Sequence, residues 1–288
     1  MAEVDLHLHT TYSDGMLSPA ELVSFCASRG LKVIAITDHD SIEGIHEALE
    51  VASRFPELDL IAGVELSCDY EGGELHMLGY YLDYEDTKLQ CALSGFREDR
   101  EDRSKEMVEK LRRLGIGVSW DRVRQLAGGA VGRPHIAQAM VEEGYVEYPG
   151  DAFDDYLGRG GLAYVDRPVQ LNPAEAISLV IEAGGVAAIA HPTYTAISPV
   201  KGLEASLNQT VSDLKLAGLV GMEVYYKNYS DEQVEILRRI AEINELVPCG
   251  GSDYHASTNP DECEPGTVGP PIVTVEALKS HLTSQRSA

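Results

Sequence analysis

His7-Leu8-His9 near the start of the chain and Asp253-Tyr254-His255 near its end are two pairs of metal-type side chains, each split by one residue. Residues two apart in a strand share a face, so each pair can point at one site. Asp14, Asp38-His39, Glu65, His76 and His191-Pro192 lie between them, mostly where segments that read as strands stop. Histidines and carboxylates without cysteine suit Mn, Fe or Zn in a hydrolytic centre rather than a structural zinc. Because the two pairs come from opposite ends of the chain, one site is expected to be built by the whole fold. No GxSxG nucleophile motif and no GxxxxGK[ST] loop offers a competing chemistry, and Gly72-Gly73 reads as a turn before a strand.

The elements that must position these residues alternate. Glu3–Leu8, Leu31–Thr37, Asp59–Leu66 and Glu74–Leu82 read as strands. Ser18-Pro19-Ala20-Glu21 supplies an N-cap, a proline at the first helical position and an acid three residues after the cap, so a helix runs over Pro19–Ser28 and stops at Gly30. A second helix is expected over Ser41–Arg54. From residue 172 the alternation resumes, with strands at Val186–Ala190, Leu219–Tyr225 and Leu246–Gly250, helices at 173–183, 208–217 and 231–245, and a last helix at Val275–Leu282. The repeated strand–helix order predicts an α/β fold with a parallel sheet or barrel, and strand C-termini at a barrel mouth are where such enzymes place their chemistry.

The middle of the chain breaks the pattern. Residues 85–171 read as helices separated by glycines, and Arg97-Glu98-Asp99-Arg100-Glu101-Asp102-Arg103 reads as a solvated helical face. The expected organisation is a barrel formed by residues 1–84 and 172–288, with 85–171 as a small helical insertion covering the active site.

Composition narrows the function further. Length, 288 residues, allows one large domain carrying an insertion, and 44% hydrophobic content allows a buried core. No apolar run is long enough for a membrane span, and the first strand begins too close to Met1 for a signal peptide. The five cysteines are scattered without a CxxC pair, which fits free thiols in a reducing cytoplasm, with Cys68 and Cys249 as packing residues. A net charge of −24 argues against a groove for long nucleic acid, which needs Lys and Arg on phosphates. A small phosphorylated substrate or a short oligonucleotide drawn in by metal ions is compatible with it. No membrane and no obligate protein partner is indicated.

His7-Leu8-His9-Thr10-Thr11-Tyr12-Ser13-Asp14-Gly15, Thr37-Asp38-His39, Gly63-Val64-Glu65, His191-Pro192 and Gly251-Ser252-Asp253-Tyr254-His255 together resemble the polymerase and histidinol phosphatase (PHP) family over residues 3–82 and 185–255. Gly132-Arg133-Pro134-His135-Ile136-Ala137, followed by Ala152-Phe153 and Tyr156-Leu157, resembles the insertion of the branch that removes phosphate from nucleotides. That branch includes nucleoside 3′,5′-bisphosphate phosphatases and exonucleases trimming short RNA from the 5′ end.

The resemblance implies a distorted (β/α)7 barrel holding two to three divalent ions (Mn, Fe or Zn). One ion would take His7, His9, Glu65 and Asp253; a second would share Glu65 and add His76 and His191; a third would take Asp14, His39 and His255. Asp38 is read as a carboxylate orienting a ligand imidazole, with direct ligation as the alternative. The implied activity is hydrolysis of phosphomonoesters, among the slowest uncatalysed biological reactions, by metal-activated hydroxide. Its expected substrates are nucleoside 3′,5′-bisphosphates, nucleoside monophosphates or short 5′-phosphorylated oligonucleotides.

Candidates for proton transfer are His191 and His255 as acid and Asp253, through its second oxygen, as base. Arg133 would fork onto a substrate phosphate with His135 in support, although Gly132-Arg133-Pro134 also reads simply as a helix start. Lys227 is a phosphate contact or an exposed lysine, and Tyr194 could meet a base or sugar. A cyclic sugar-phosphate diesterase or a histidinol phosphatase on the same fold is the alternative enzyme. A non-catalytic regulatory module, as found attached to DNA polymerases, would be expected to lack ligands that are all filled here.

Overall fold

The computed structural model describes residues 1–70, 73–167, 171–194, 203–257 and 262–285. Seven strands follow one another in chain order around a mixed sheet: β1 (Val4–Asp5), β2 (Val33–Ile36), β3 (Asp59–Tyr70), β4 (Gly73–Tyr80), β5 (Val186–Ile189), β6 (Gly221–Tyr226) and β7 (Val247–Gly251). The ends meet. Leu6 N–H donates to the Gly250 carbonyl at 3.1 Å, His9 N–H donates to that of Tyr254 at 3.0 Å, and Leu8 bridges Tyr254 in parallel. The sheet therefore curls into a nearly closed α/β barrel, as expected of a distorted (β/α)7 fold.

The expected parallel sheet is only partly parallel. β4 runs antiparallel to both β3 and β5, while the remaining neighbours are parallel. The β3–β4 connection is too short for a crossover, which a parallel pair requires. One consequence serves the site: reversal brings the beginning of β4, not its end, to the mouth formed by the other strands' C-termini. His76 therefore sits near a strand start, and Glu65 lies inside β3, which continues to Tyr70.

Alternation along β2 separates two cores. Val33 and Ala35 pack with Ile61, Leu78, Tyr80 and Ala188 inside the barrel. Ile34 and Ile36 pack outward against a layer that includes Leu22, Ile45, Ile177 and Leu237. These belong to helices α1 (Pro19–Ser28), α2 (Ile45–Ala52), α7 (Pro173–Glu182) and α9 (Asp231–Ile243), which with α8 (Leu203–Leu216) and α10 (Val273–Gln285) flank the barrel. α1 has the bounds its cap predicts: the Ser18 side chain accepts from Glu21 N–H, and the Glu21 carboxylate accepts from Ser18 N–H.

Between β4 and α7 come α3 (Thr87–Arg113), α4 (Trp120–Leu126), α5 (Arg133–Glu142), α6 (Pro149–Ala152) and a π-helical turn, Phe153–Leu157. They share a core of their own, including Met107, Leu111, Val123, Ile136, Met140 and Leu157. α3 belongs to both layers, since Leu89 and Leu93 pack into the barrel's outer core and Met107 and Leu111 into the helical one. Contact between the two layers is intimate at Gly129, where a Cβ would lie 2.3 Å from the Tyr12 carbonyl oxygen, and the Ala130 N–H donates to that same oxygen. Among the described residues no helix is long and apolar enough to cross a membrane.

The charged run in α3 is only in part the solvated face expected of it: Glu98 and Asp102 are exposed, but the arginines are not. Arg97, Arg100 and Arg103, three residues apart, turn inward: Arg97 donates to the Asp40 carbonyl, Arg100 to the Asp40 carboxylate at 2.6 Å and Arg103 to the Val165 carbonyl.

Candidate metal centre

The ligand-type side chains converge at the barrel mouth into three overlapping groups. In the first, His7 Nε2 lies 3.2 Å from Glu65 Oε2 and 3.3 Å from Asp253 Oδ1, and His9 Nε2 lies 3.3 and 3.1 Å from the same two oxygens. Four donors each about 2.1 Å from one tetrahedral ion would be about 3.4 Å apart, so the spacing fits a cation at their centre. The second is His39, Glu65 and His76, where the other oxygen of Glu65, Oε1, lies 2.7 Å from His76 Nδ1; His191, expected in this group, falls outside it but has Nε2 3.0 Å from the same oxygen. Glu65 thus presents one oxygen to each of two groups, as a bridging carboxylate must. His39 Nδ1 also reaches Glu65 Oε2, at 3.1 Å. In the third, Asp14 lies 3.3 Å from His255 Nε2, 3.7 Å from His39 Nε2 and 3.6 Å from His9 Nδ1.

Three of these atoms, His9 Nε2, Asp14 Oδ1 and His39 Nδ1, are buried without a hydrogen-bond partner among the described residues. Unsatisfied lone pairs are costly in a protein interior, and here each belongs to one of the candidate metal groups. The donor set fits divalent cations, and it contains no thiolate.

The electrostatics show what the cluster does with protein charges alone. Burial pushes the Glu65 carboxyl up, yet the surrounding His39, His7 and His76 outweigh it and hold Glu65 well below the usual range. Asp14, beside His39 and His255, and Asp253, beside Lys227 and His7, are held low against burial in the same way. Conversely, the carboxylates overcome the burial of His7 and His9, raising His7 and taking His9 up to about 10. His39 goes the other way, to about 3, because its burial exceeds the pull of Glu65 and Asp14. Asp253 holds its place with φ near 50°, a left-handed conformation unusual for a non-glycine residue. β7 can lie so close to the first ligand strand because residue 251 is glycine: a Cβ there would be 2.5 Å from His7 N.

A family profile for the PHP domain matches residues 5–148. The chain belongs to the PHP domain family. It is 38% identical to the 5′-3′ exoribonuclease of Haemophilus influenzae, over 87% of this chain and 89% of that one. It is 30% identical to the 3′,5′-nucleoside bisphosphate phosphatase of Chromobacterium violaceum, over 89% and 88%. A solved structure from Bifidobacterium adolescentis, described as a metal-dependent phosphoesterase, superposes with a TM-score of 0.84 at 31% identity, covering 96% of each chain. The chain is accordingly a metal-dependent phosphoesterase on a PHP barrel.

Several residues around this PHP centre differ from their expected surroundings. Asp38 touches no imidazole. Its oxygens accept from Thr10 N–H (2.7 Å), Thr10 Oγ1 (2.6 Å) and Ser13 Oγ (2.6 Å), so it fastens the turn after His9. It reaches an imidazole only through Ser13, whose Oγ is 3.4 Å from His9 Nδ1. The carboxylate that does orient a candidate ligand is Glu223 in β6, fully buried, which accepts from His7 Nδ1 at 3.0 Å and from His191 N–H at 2.6 Å. An acid in the apolar run Gly221–Tyr226 was its signal, since a buried charge needs a partner.

Asp253 Oδ2, expected to be available for a proton, is already held by Tyr226 Oη at 2.6 Å and by Lys227 Nζ at 3.2 Å. Lys227 also donates to the Asp253 carbonyl, so it anchors a ligand rather than standing exposed. His255 Nδ1 donates to that carbonyl as well, at 2.9 Å, which leaves Nε2 facing Asp14 and able to ligate a cation. His135 is 6% exposed and accepts from Gly132 N–H, capping α5. Arg133, the first residue of α5, reaches out to Glu74 at 2.5 Å. The Tyr194 side chain lies outside the described residues.

Two cavities open beside the centre. One, about 200 Å³, is lined by Asp14, His39 and His76 of the candidate centre and by Arg100, Arg103, Arg133 and Arg167. The other, about 430 Å³, runs past Asp14 and His255 along Lys227, Arg122 and Gln138. Pro134 and Phe153 border both.

Proposed function

We propose that this chain hydrolyses the phosphomonoesters of small nucleotides, nucleoside 3′,5′-bisphosphates foremost, with nucleoside monophosphates and short 5′-phosphorylated oligonucleotides in the same class. The observation that carries this reading is that Arg103, Arg133 and Arg167 line one small cavity together with His39 and His76. A phosphate held at the ligand cluster has there, within one molecule's reach, a second basic pocket suited to another phosphate. Guanidinium forks match phosphate oxygens bidentately. The names of the exoribonuclease and bisphosphate phosphatase relatives agree with such a substrate class.

In this reading His7, His9, Glu65 and Asp253 hold one ion, Glu65, His76 and His191 a second, and Asp14, His39 and His255 a third, with Mn, Fe or Zn as the metals. When bound, such ions neutralise phosphoryl oxygens, lower the pKa of water and stabilise the leaving oxygen. The protein's own part is positional. Glu223 fixes His7 in the tautomer that turns Nε2 inward, and Tyr226 with Lys227 fixes Asp253 as a carboxylate. Arg133 takes a substrate phosphate, and His135 secures the helix start that carries it. The larger cavity beside His255 and Lys227 accommodates the nucleoside or the next nucleotides of a short strand, with His255 and His191 closest to a leaving group.

The test is a phosphate-release screen with Mn²⁺ across nucleoside mono- and bisphosphates, short 5′-phosphorylated RNA, cyclic phosphates and histidinol phosphate. The expected result is highest kcat/KM on a nucleoside 3′,5′-bisphosphate. Highest kcat/KM on a cyclic phosphate or histidinol phosphate would replace the proposed substrate class.

A further inference from the structure

Glu74 stands in β4 two residues before His76, on the same face of the strand, and its carboxylate pairs with three of the arginines that line the smaller cavity. Three guanidinium groups surround it: Arg133 Nη2 at 2.5 Å on Oε2, Arg103 Nη1 at 3.6 Å and Arg167 Nε at 3.9 Å on Oε1. Arg100, the fourth arginine of this cavity, is committed to Asp40. One carboxylate thus faces three cations, and it does not satisfy them. Glu74 Oε1, Arg103 Nη2 and Arg167 Nε are all buried without a hydrogen-bond partner among the described residues. Arg103 itself is only 6% exposed. The pocket offers more donors, in more directions, than a planar two-oxygen acceptor can use. A tetrahedral anion with three free oxygens could meet them.

We propose that Glu74 is a built-in competitor for the substrate's second phosphate: it occupies the arginine pocket when no substrate is bound and yields Arg103, Arg133 and Arg167 to a terminal phosphate. It thereby sets how strongly the enzyme prefers doubly over singly phosphorylated compounds. The inference rests on the proposed nucleotide reading for the identity of that anion, but the competition itself requires only the pocket. Without Glu74 the three guanidiniums would lose the carboxylate they share beside the candidate metal ligands, open to any small anion. With it, only a ligand anchored at both the cluster and the pocket gains enough to displace the carboxylate.

The test uses the Mn²⁺-loaded full chain and inorganic sulfate as the anion probe, by titration calorimetry. Glu74→Gln keeps the side-chain volume and removes the charge, so sulfate affinity is expected to rise roughly tenfold, the equivalent of one strong charge–charge contact. The gain should vanish in Glu74→Gln combined with Arg133→Met. In parallel, the ratio of kcat/KM for adenosine 3′,5′-bisphosphate to that for p-nitrophenyl phosphate should rise in Glu74→Gln. Unchanged or weaker sulfate binding in a folded Glu74→Gln protein overturns the proposal. Tighter sulfate binding in a protein that releases phosphate from no bisphosphate supports the competition and overturns the substrate reading instead.

Discussion

His7 Nδ1 lies 3.0 Å from Glu223 Oε1, with both side chains fully buried, and the other oxygen of Glu223 takes the backbone N–H of His191. One carboxylate therefore sets the tautomer of a ligand to the first candidate ion and the position of a ligand to the second. Glu223→Gln keeps the shape but offers the imidazole an ambiguous partner. Outer-shell changes of this kind cost about 10–100-fold in metal affinity or activity. Metal competition titration and kcat/KM on the same variant check this, and full retention of both would remove Glu223 from the centre.

Metal removal should affect charge as well as activity. In the metal-free protein Glu223, Asp253 and Glu65 outweigh burial to hold His7 above its ordinary pKa, and Asp253 and Glu65 do the same for His9, so protons compete with a cation for both. Loading with Mn²⁺ is expected to release protons into a weak buffer and to tighten as pH rises from 6 to 8, because fewer protons then compete. Chelation should abolish phosphate release and lower the melting temperature, since a ligand at 100 times its Kd contributes about 2.7 kcal/mol. Proton-release titration and calorimetry read these directly.

Arg100 ties the inserted helix α3 to the barrel through Asp40, the residue after His39, which is 1% exposed and sits at φ 49°. Arg100→Met strands a buried carboxylate and should cost about 3 kcal/mol of stability. Urea unfolding measures it. Arg122→Met, at the exposed Arg122–Glu142 pair, is the control and should leave the midpoint unchanged within error.

Thiol chemistry provides an independent check on the core. Cys26, Cys68 and Cys249 are buried and their thiols are pushed up by that burial, whereas Cys91 is exposed. In the native protein a disulfide reagent should titrate Cys91 first and Cys263 more slowly, with Cys26, Cys68 and Cys249 reacting only after denaturation.

Local signals in the sequence were strong where chemistry and backbone periodicity agree. His7 and His9, two apart beside a strand, could scarcely serve separate purposes, and Ser18-Pro19-Glu21 marks the start of α1 to the residue. Strand direction was harder, because a hydrophobic pattern does not distinguish parallel from antiparallel neighbours. Only the short turn before Gly73 betrays the reversal of β4 that brings His76 to the mouth. Arg97, Arg100 and Arg103 look like ordinary surface charges until their carboxylate and carbonyl partners, distant in sequence, are placed opposite them. The role expected of Asp38 falls to Glu223 for the same reason: which carboxylate meets an imidazole depends on packing between strands, not on adjacency to a histidine.

Glu65, with one oxygen toward His7, His9 and Asp253 and the other toward His76 and His191, is the residue that two candidate ions would share. The decisive measurement is metal content by elemental analysis together with phosphate release from a nucleoside 3′,5′-bisphosphate, for the native chain and for Glu65→Gln. Two to three ions per native chain are expected, with turnover falling roughly a thousandfold or more in the variant as several kcal/mol of charge stabilisation is lost. A native protein with its metals confirmed that hydrolyses no phosphorylated compound, or a Glu65→Gln variant with full activity, would contradict it.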